Sequence, residues 1–210
     1  MSELRADLAI ISEWIEPGSR VLDLGCGDGA LLENLIDERG CSGLGVEREL
    51  DDFHACIARG VPVTQGDLEE ELPRFRAGDF DVAVLSLTLQ AVSRPDQVLT
   101  EMKRVAPHLV VSLPNFAHWK LRTTLALRGR MPVTDALPYQ WFDTPNIHLC
   151  TITDFEQLAA GLDLGIERGP GIGFVRTGQS AQPIGQRDSG RLLLGLDRGS
   201  PHHAGAGQRE

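Results

Sequence analysis

Residues 21–29, Val-Leu-Asp-Leu-Gly-Cys-Gly-Asp-Gly, are where residue types and spacing in this 210-residue chain speak most directly of chemistry. A carboxylate, Asp23, stands in a short β-favouring run, and Gly25, Gly27 and Gly29 alternate before a helical pattern begins. Glycine lets the backbone bend sharply and approach a ligand with no side chain in the way. A helix start adds unpaired N–H groups and a positive dipole end. A dinucleotide fingerprint reads G-x-G-x-x-G, with pyrophosphate on the helix. Here the order is G-x-G-x-G with Asp28 inside it, a tighter and acidic bend that suits a ligand without phosphate.

S-adenosylmethionine (SAM) is such a ligand, with an amino group, a carboxylate, a sulfonium and a ribose. Glu47 ends the next strand pattern, where a carboxylate can accept from both ribose hydroxyls. Gly66-Asp67-Leu68 follows the third, where Asp67 can accept from the adenine amino group. The expected ligand set is Asp23, Gly25, Cys26, Gly27, Gly29, Glu47, Asp67 and Leu68. Together these motifs resemble the class I SAM-dependent methyltransferases, in that family's order. A nicotinamide-dependent reductase fits poorly, because the loop spacing and Asp28 oppose a pyrophosphate.

The acceptor side is less explicit. After the fourth strand pattern the chain reads Leu85-Ser86-Leu87-Thr88-Leu89-Gln90, with no Asn/Asp-Pro-Pro-Tyr run for amino-group methylation and no Pro-Cys pair for a cytosine nucleophile. Asn115, His118, Tyr139, Asp143 and His148 are candidates for proton handling, although any one of them is more often structural than catalytic. Cys26 in the loop is explained by small size rather than reactivity. Of the acidic clusters 47–52 and 67–71, only Glu47 and Asp67 are given ligand roles; the others read as solvated helix starts. Residues 102–134 contain Lys103, Arg104, Lys120, Arg122, Arg128 and Arg130 and no acid, although the whole chain has a formal charge of -10. That stretch is either a solvated helix face or a docking site for an acidic protein surface or an anionic ligand.

The elements that must position these residues alternate. Leu4, Leu8, Ile11 and Ile15 share one helical face, with Ser2 as a cap and Pro17-Gly18 as the stop. A strand at 20–24, a helix at 28–39 stopped by Gly40, a strand at 44–47, a helix at 51–58 and a strand at 61–65 follow. Strands at 80–87 and 109–113 flank a helix at 96–105, and their continuous apolar runs suit burial on both faces. Residues 114–150 break the rhythm with Pro114, Pro132, Pro138 and Pro145 and with Trp119, Tyr139, Trp141 and Phe142, an aromatic insertion placed where α/β proteins put substrate contacts. A last helix at 153–160, capped by Thr153 with Glu156, precedes an antiparallel pair at 164–168 and 191–196. The expected class is α/β: one Rossmann-like domain over 1–197, a mostly parallel seven-stranded sheet with helices on both faces, and a disordered tail at 198–210.

Composition narrows the classes further. No apolar run approaches the ~20 residues of a membrane span, and the acidic N-terminus does not read as a signal peptide. A sequence pI near 5.0 argues against nucleic acid or an anionic membrane as the main partner. Cys26, Cys41, Cys56 and Cys150 lack the pairing of a zinc site and read as reduced thiols of a cytoplasmic protein. No metal is expected.

Two longer runs, Pro-Asn-Phe-Ala-His-Trp at 114–119 and Leu-Pro-Tyr-Gln-Trp-Phe-Asp-Thr-Pro-Asn-Ile-His-Leu-Cys-Thr-Ile-Thr-Asp-Phe at 137–155, make the chain similar to the MetW family of methionine-biosynthesis proteins over about residues 2–175. That resemblance implies a methyltransferase fold working beside a homoserine O-acyltransferase. It leaves two readings: a SAM-responsive subunit of the acyltransferase, or a methyltransferase of a small-molecule or protein acceptor whose pocket is the aromatic insertion.

Overall fold

The computed structural model describes residues 4–134, 137–169, 172–173 and 191–198. The elements in chain order are α1 (Ala6–Trp14), β1 (Arg20–Leu24), α2 (Ala30–Arg39), β2 (Ser42–Glu47), α3 (Leu50–Ala58), β3 (Val63–Gln65), α4 (Leu68–Glu71), β4 (Val82–Ser86), α5 (Pro95–Val105), β5 (His108–Pro114), α6 (Trp119–Arg128), α7 (Ile152–Gly161), β6 (Leu164–Gly169), β7 (Ile172–Gly173) and β8 (Arg191–Arg198). Single 3-10 turns occupy Leu72–Arg74 and Leu89–Ala91.

One sheet organises the chain in the order β3-β2-β1-β4-β5-β8-β6-β7. The first five strands in that order are parallel, and β8, β6 and β7 each run antiparallel to their neighbours. The expected α/β class and the antiparallel closing pair are both present. The expected count of seven strands is not: β7 adds a two-residue arm in a glycine-rich stretch that has no hydrophobic period to announce it.

Strand alternation separates two cores. Val21, Val82, Val84 and Val110 face Ile11 of α1, Leu31, Leu32 and Leu35 of α2 and Cys56 of α3. Their neighbours Leu22, Ala83, Leu85, Leu109 and Val111 face Leu99 and Met102 of α5 and Phe155 of α7. A period of two on strands and apolar faces on helices place every large side chain on one side of the sheet or the other. Burying one leucine in such a core contributes about 2 kcal/mol.

Several boundaries differ from the sequence expectation. α1 ends at Trp14, ahead of Pro17-Gly18, and Ser2 lies outside the described residues. α2 begins at Ala30 and stops, as expected, at Gly40 with φ 62°. The cap of α7 is Thr151, not Thr153: its hydroxyl accepts from Asp154 N, and Asp154 Oδ2 accepts from Thr151 N at 3.0 Å. Both Thr-x-x-acid patterns fit the motif, and the one that precedes the buried Phe155 turn is used. α6 was not expected; the helix start expected in the acidic cluster after Asp67 is the four-residue α4. The tail expected from 198 lies, beyond Arg198, outside the described residues, as do His202 and His203. Among the described residues no helix is long and apolar enough to cross a membrane.

Candidate functional site

β1 pairs β2 on one side and β4 on the other. The chain direction of the crossovers reverses there, so the carboxyl ends of β1 and β4 open a crevice where such sheets bind ligands. The glycine loop leaves β1 at this point. Gly25, Gly27 and Gly29 have φ of 69°, 56° and 79°, the left-handed region where side chains are strained. A Cβ on Gly25 would also lie 2.7 Å from Thr88 Oγ1, so this position needs glycine for space as well as for conformation.

The loop amides are not open to an anion. Gly25 N and Cys26 N donate to Val46 O at 2.8 and 3.3 Å, and Gly29 N donates to Cys26 O at 3.1 Å. Gly27 N donates to Glu47 Oε2 at 2.8 Å, and Ala30 N to Asp28 Oδ1 at 3.3 Å. Asp28 is held in turn by Arg59 at 2.6 Å. The expectation that the helix start presents unpaired N–H groups holds for Leu31 and Leu32, since α2 has no side-chain cap, while the amides of Gly25, Cys26, Gly27 and Gly29 in the bend itself are taken up by the chain.

What the bend covers is negative. Asp23 lies in register with Gly45 of β2 and Val84 of β4, 2% exposed, and its Oδ1 has no hydrogen-bond partner. Burial, and secondarily the nearby Glu47 carboxylate, push its pKa up to about 7. A buried acceptor without a partner costs about 1–3 kcal/mol, and a cation placed against it would supply the missing donor. Glu47, also buried, engages backbone through both oxygens: besides Gly27 N on Oε2, it accepts from Arg48 N at 2.8 Å and Glu49 N at 2.9 Å on Oε1. Its observed work is to tie the glycine loop to the end of β2.

Beside the loop lies a cavity of about 130 Å3, lined by Gly25, Arg48, Asp67, Leu68, Thr88 and Val92 among others. That is below the ~300–1,000 Å3 typical for drug-sized ligands, so it admits one ring system rather than a whole nucleoside derivative. Asp67 caps α4, accepting from Glu69 N at 2.9 Å, and its other oxygen stands 4.0 Å from Arg48 Nη1. Leu68 is a buried wall. The structure thus brings Gly25, Asp67 and Leu68 around the cavity and keeps Asp23, Cys26, Gly27, Gly29 and Glu47 on the adjoining loop side. Arg48 and Thr88 were missed by sequence reasoning. Arg48 carried a faint signal, adjacency to Glu47, whereas nothing local marks Thr88 as facing Gly25.

Leu87, at the end of β4, has φ 53°, a strained geometry for a leucine and one that clusters at functional sites. Gln90 follows, 6% exposed; its Nε2 donates to Leu87 O at 2.6 Å and its Oε1 has no partner. Gln90 O accepts from both Ile147 N and His148 N, at 2.9 and 3.0 Å. One residue therefore joins the cavity wall to the aromatic insertion.

None of the five proton-handling candidates lines the cavity. Asn115 Oδ1 accepts from Ala117 N, His118 packs by Trp119, and Tyr139, Asp143 and His148 are exposed. The insertion does not roof the site: Trp119, Tyr139, Trp141 and Phe142 are 59%, 48%, 73% and 70% exposed. Cys26 points away from the crevice, its Sγ 3.7 Å from Cys56 Sγ in room left by Gly45, whose Cβ would lie 2.5 Å from it. Burial, then Asp23, raises its thiol pKa and keeps it unreactive.

Two charge readings change. Glu69 accepts from Ser93 N and Arg94 N, and buried Glu71 pairs with Arg74, so these acids brace the fold rather than decorate a solvated helix start. Lys103 donates to Leu162 O, and Arg104 to Glu101, Phe75 O and Leu72 O, which removes both from the basic surface. Among the described residues no group of three His, Cys, Asp or Glu is placed to hold a metal ion.

Residues 5–182 match the family described as methionine biosynthesis protein MetW. The chain is 38% identical over 173 residues to the bifunctional methionine biosynthesis protein MetXA/MetW of Rhodopirellula baltica, covering 78% of this chain and 28% of that relative. It is 35% identical over 97 residues to the ubiquinone biosynthesis O-methyltransferase of Hahella chejuensis, covering 43% of this chain and 40% of that one. The chain therefore spans less than half the length of both curated relatives. A SAM-dependent methyltransferase from Archaeoglobus fulgidus shares the fold with a TM-score of 0.64 at 16% identity, 91% of each chain being covered.

Proposed function

This chain belongs to the MetW family of methionine biosynthesis proteins, and on that premise we propose that it binds SAM and serves as a regulatory subunit of a homoserine O-acyltransferase. The observation that carries the ligand half is the unpartnered, buried Asp23 oxygen under a bend where the Gly25, Cys26, Gly27 and Gly29 amides already have partners. Such a site prefers a cationic group to an anionic one, and SAM presents an ammonium and a sulfonium. Asp23 would take the ammonium, Glu47 would accept from the ribose with its remaining lone pairs, and Asp67 with Leu68 would hold the adenine. When bound, SAM supplies an activated methyl group.

The partner half is supported by the relative whose printed name joins MetXA to MetW in one protein. Physical linkage of two modules raises their mutual concentration, a common route to obligatory cooperation. The subunit role is preferred to methyl transfer because the five acceptor-side candidates stand outside the cavity lining, and a methyltransferase fold does not by itself imply methyl transfer. A role in this pathway places the protein in the cytoplasm.

The test is acyl transfer by the purified acyltransferase, measured with and without this chain while SAM is titrated. A SAM-dependent change in acyl-transfer rate with no S-adenosylhomocysteine formed is the expected result. Stoichiometric or catalytic formation of S-adenosylhomocysteine with a defined acceptor would select the methyltransferase reading. No binding of SAM by calorimetry would remove both.

A further inference from the structure

We propose that the exposed aromatic and basic face formed by α6 and residues 137–149 is the docking surface for the acyltransferase. This rests on the partner reading above and names the part of the molecule that would carry it.

Of its ten residues α6 buries only Leu121, while Leu127 is 85% exposed. Helices shorter than about 12–15 residues are marginal without packing, so this one has an apolar side awaiting a cover. Phe116, Met131 and Pro132, on either side of α6 in the chain, line one groove with Trp141, which packs edge to face with Phe142, ring centroids 5.7 Å apart, both rings being otherwise mostly in solvent. Tyr139 and Ile147 line the same groove, of about 180 Å3. Single exposed apolar side chains are ordinary; a contiguous set of this size marks an interaction site. Large aromatics and arginine are also the residues that dominate interface energetics.

Charge identifies the occupant. Lys120, Arg122, Arg128 and Arg130 are exposed, and among the described residues none forms an ion pair. They stand on α6 and just after it, Arg130 being next in the chain to Met131 and Pro132 of the groove, in a chain with 30 acidic and 20 basic residues. A second copy meeting this face two-fold would bring the same basic set into the interface twice, with no acid among Lys120, Arg122, Arg128 and Arg130 to offset it. A lipid bilayer would have to receive the Asp143 carboxylate next to the two most exposed rings. A partner with an apolar patch and an acidic rim satisfies both the rings and the arginines. The face is also wired inward: Ile147 N and His148 N donate to Gln90 O, and Thr88 and Ala91 near Gln90 line the cavity beside the glycine loop. A partner seated here can thus bias ligand binding, and the ligand can bias docking by the same factor.

The experiment measures binding of purified MetXA-type acyltransferase to the full chain, to Trp141→Ala/Phe142→Ala, to Arg128→Glu/Arg130→Glu, and to Ile57→Ala as an exposed apolar control on α3. Expected are a loss of at least about 30-fold for the aromatic pair and a smaller, salt-sensitive loss for the charge pair, mostly in association rate. Ile57→Ala should bind within about twofold. Unchanged SAM affinity and melting temperature in all three variants would show that their folds are intact. If the full chain binds and the aromatic variant binds equally well, the face is wrong and the partner reading survives. If the full chain does not bind, the partner reading fails and this proposal with it. Loss of self-association in ultracentrifugation, or of binding to anionic phospholipid vesicles, with acyltransferase binding intact would overturn the proposal in favour of those occupants.

Discussion

The crevice at the ends of β1 and β4 and the segment 115–149 meet at Gln90, yet they are built differently. In the crevice the amides of Gly25, Cys26, Gly27 and Gly29 are satisfied by the chain itself, and the buried side-chain orphan beneath them is Asp23 Oδ1, a single acceptor. In the insertion the apolar groups are left over: α6 presents Leu125 and Leu127 to solvent, and Trp141 and Phe142 meet edge to face while mostly exposed. The first region lacks one small charged ligand, the second a large surface. A molecule that reports on a metabolite to another protein needs both kinds of incompleteness and a connection between them.

Stability offers the sharpest way to break that contrast. Leu99→Ala, in the core under α5, should cost about 3 kcal/mol in urea unfolding, whereas Leu127→Ala on α6 should stay within about 0.5 kcal/mol. Equal costs would mean that α6 is packed in the free protein. Gly25→Val comes next: the new side chain meets Thr88 and a positive φ, and SAM affinity should fall by about 100-fold or more in calorimetry. Trp141→Ala should leave that affinity unchanged.

Asp23 gives a pH signature of intermediate size. Its native pKa, about 7, lies above the ~3.9 of an unfolded chain. The ionised form is therefore the penalised one: the contribution to stability is favourable at acid pH, declines between about pH 4 and 7, and is lost above that. A cationic ligand reverses this, because it requires the ionised carboxylate. SAM affinity should fall by up to about tenfold per unit as pH drops below 7, with proton release on binding that scales calorimetric heats with buffer ionisation enthalpy. Asp23→Asn should weaken binding and abolish the slope; a slope retained in that variant would assign the ammonium elsewhere. The smallest effect expected is Thr151→Ala, about 1 kcal/mol from loss of the α7 cap, against no measurable change for Thr153→Ala.

The strand and helix order, the glycine bend and the two acidic strand ends were legible from residue types alone. Hydrophobic period and backbone permissiveness are local properties, and Leu22 or Gly25 declares its environment within a few neighbours. The cap of α7 was misplaced by two residues because Thr151 and Thr153 present equivalent local patterns, and α6 was hidden because a helix with one buried residue has almost no apolar period. Tertiary structure alone decided how donors and acceptors were shared. That Glu47 accepts from Gly27, that Asp23 is left without a partner, that Thr88 closes on Gly25 and that Gln90 holds the insertion all depend on atoms far apart in sequence coming within hydrogen-bond or van der Waals reach. Such reach falls off over tenths of an ångström, a scale that composition and spacing do not encode.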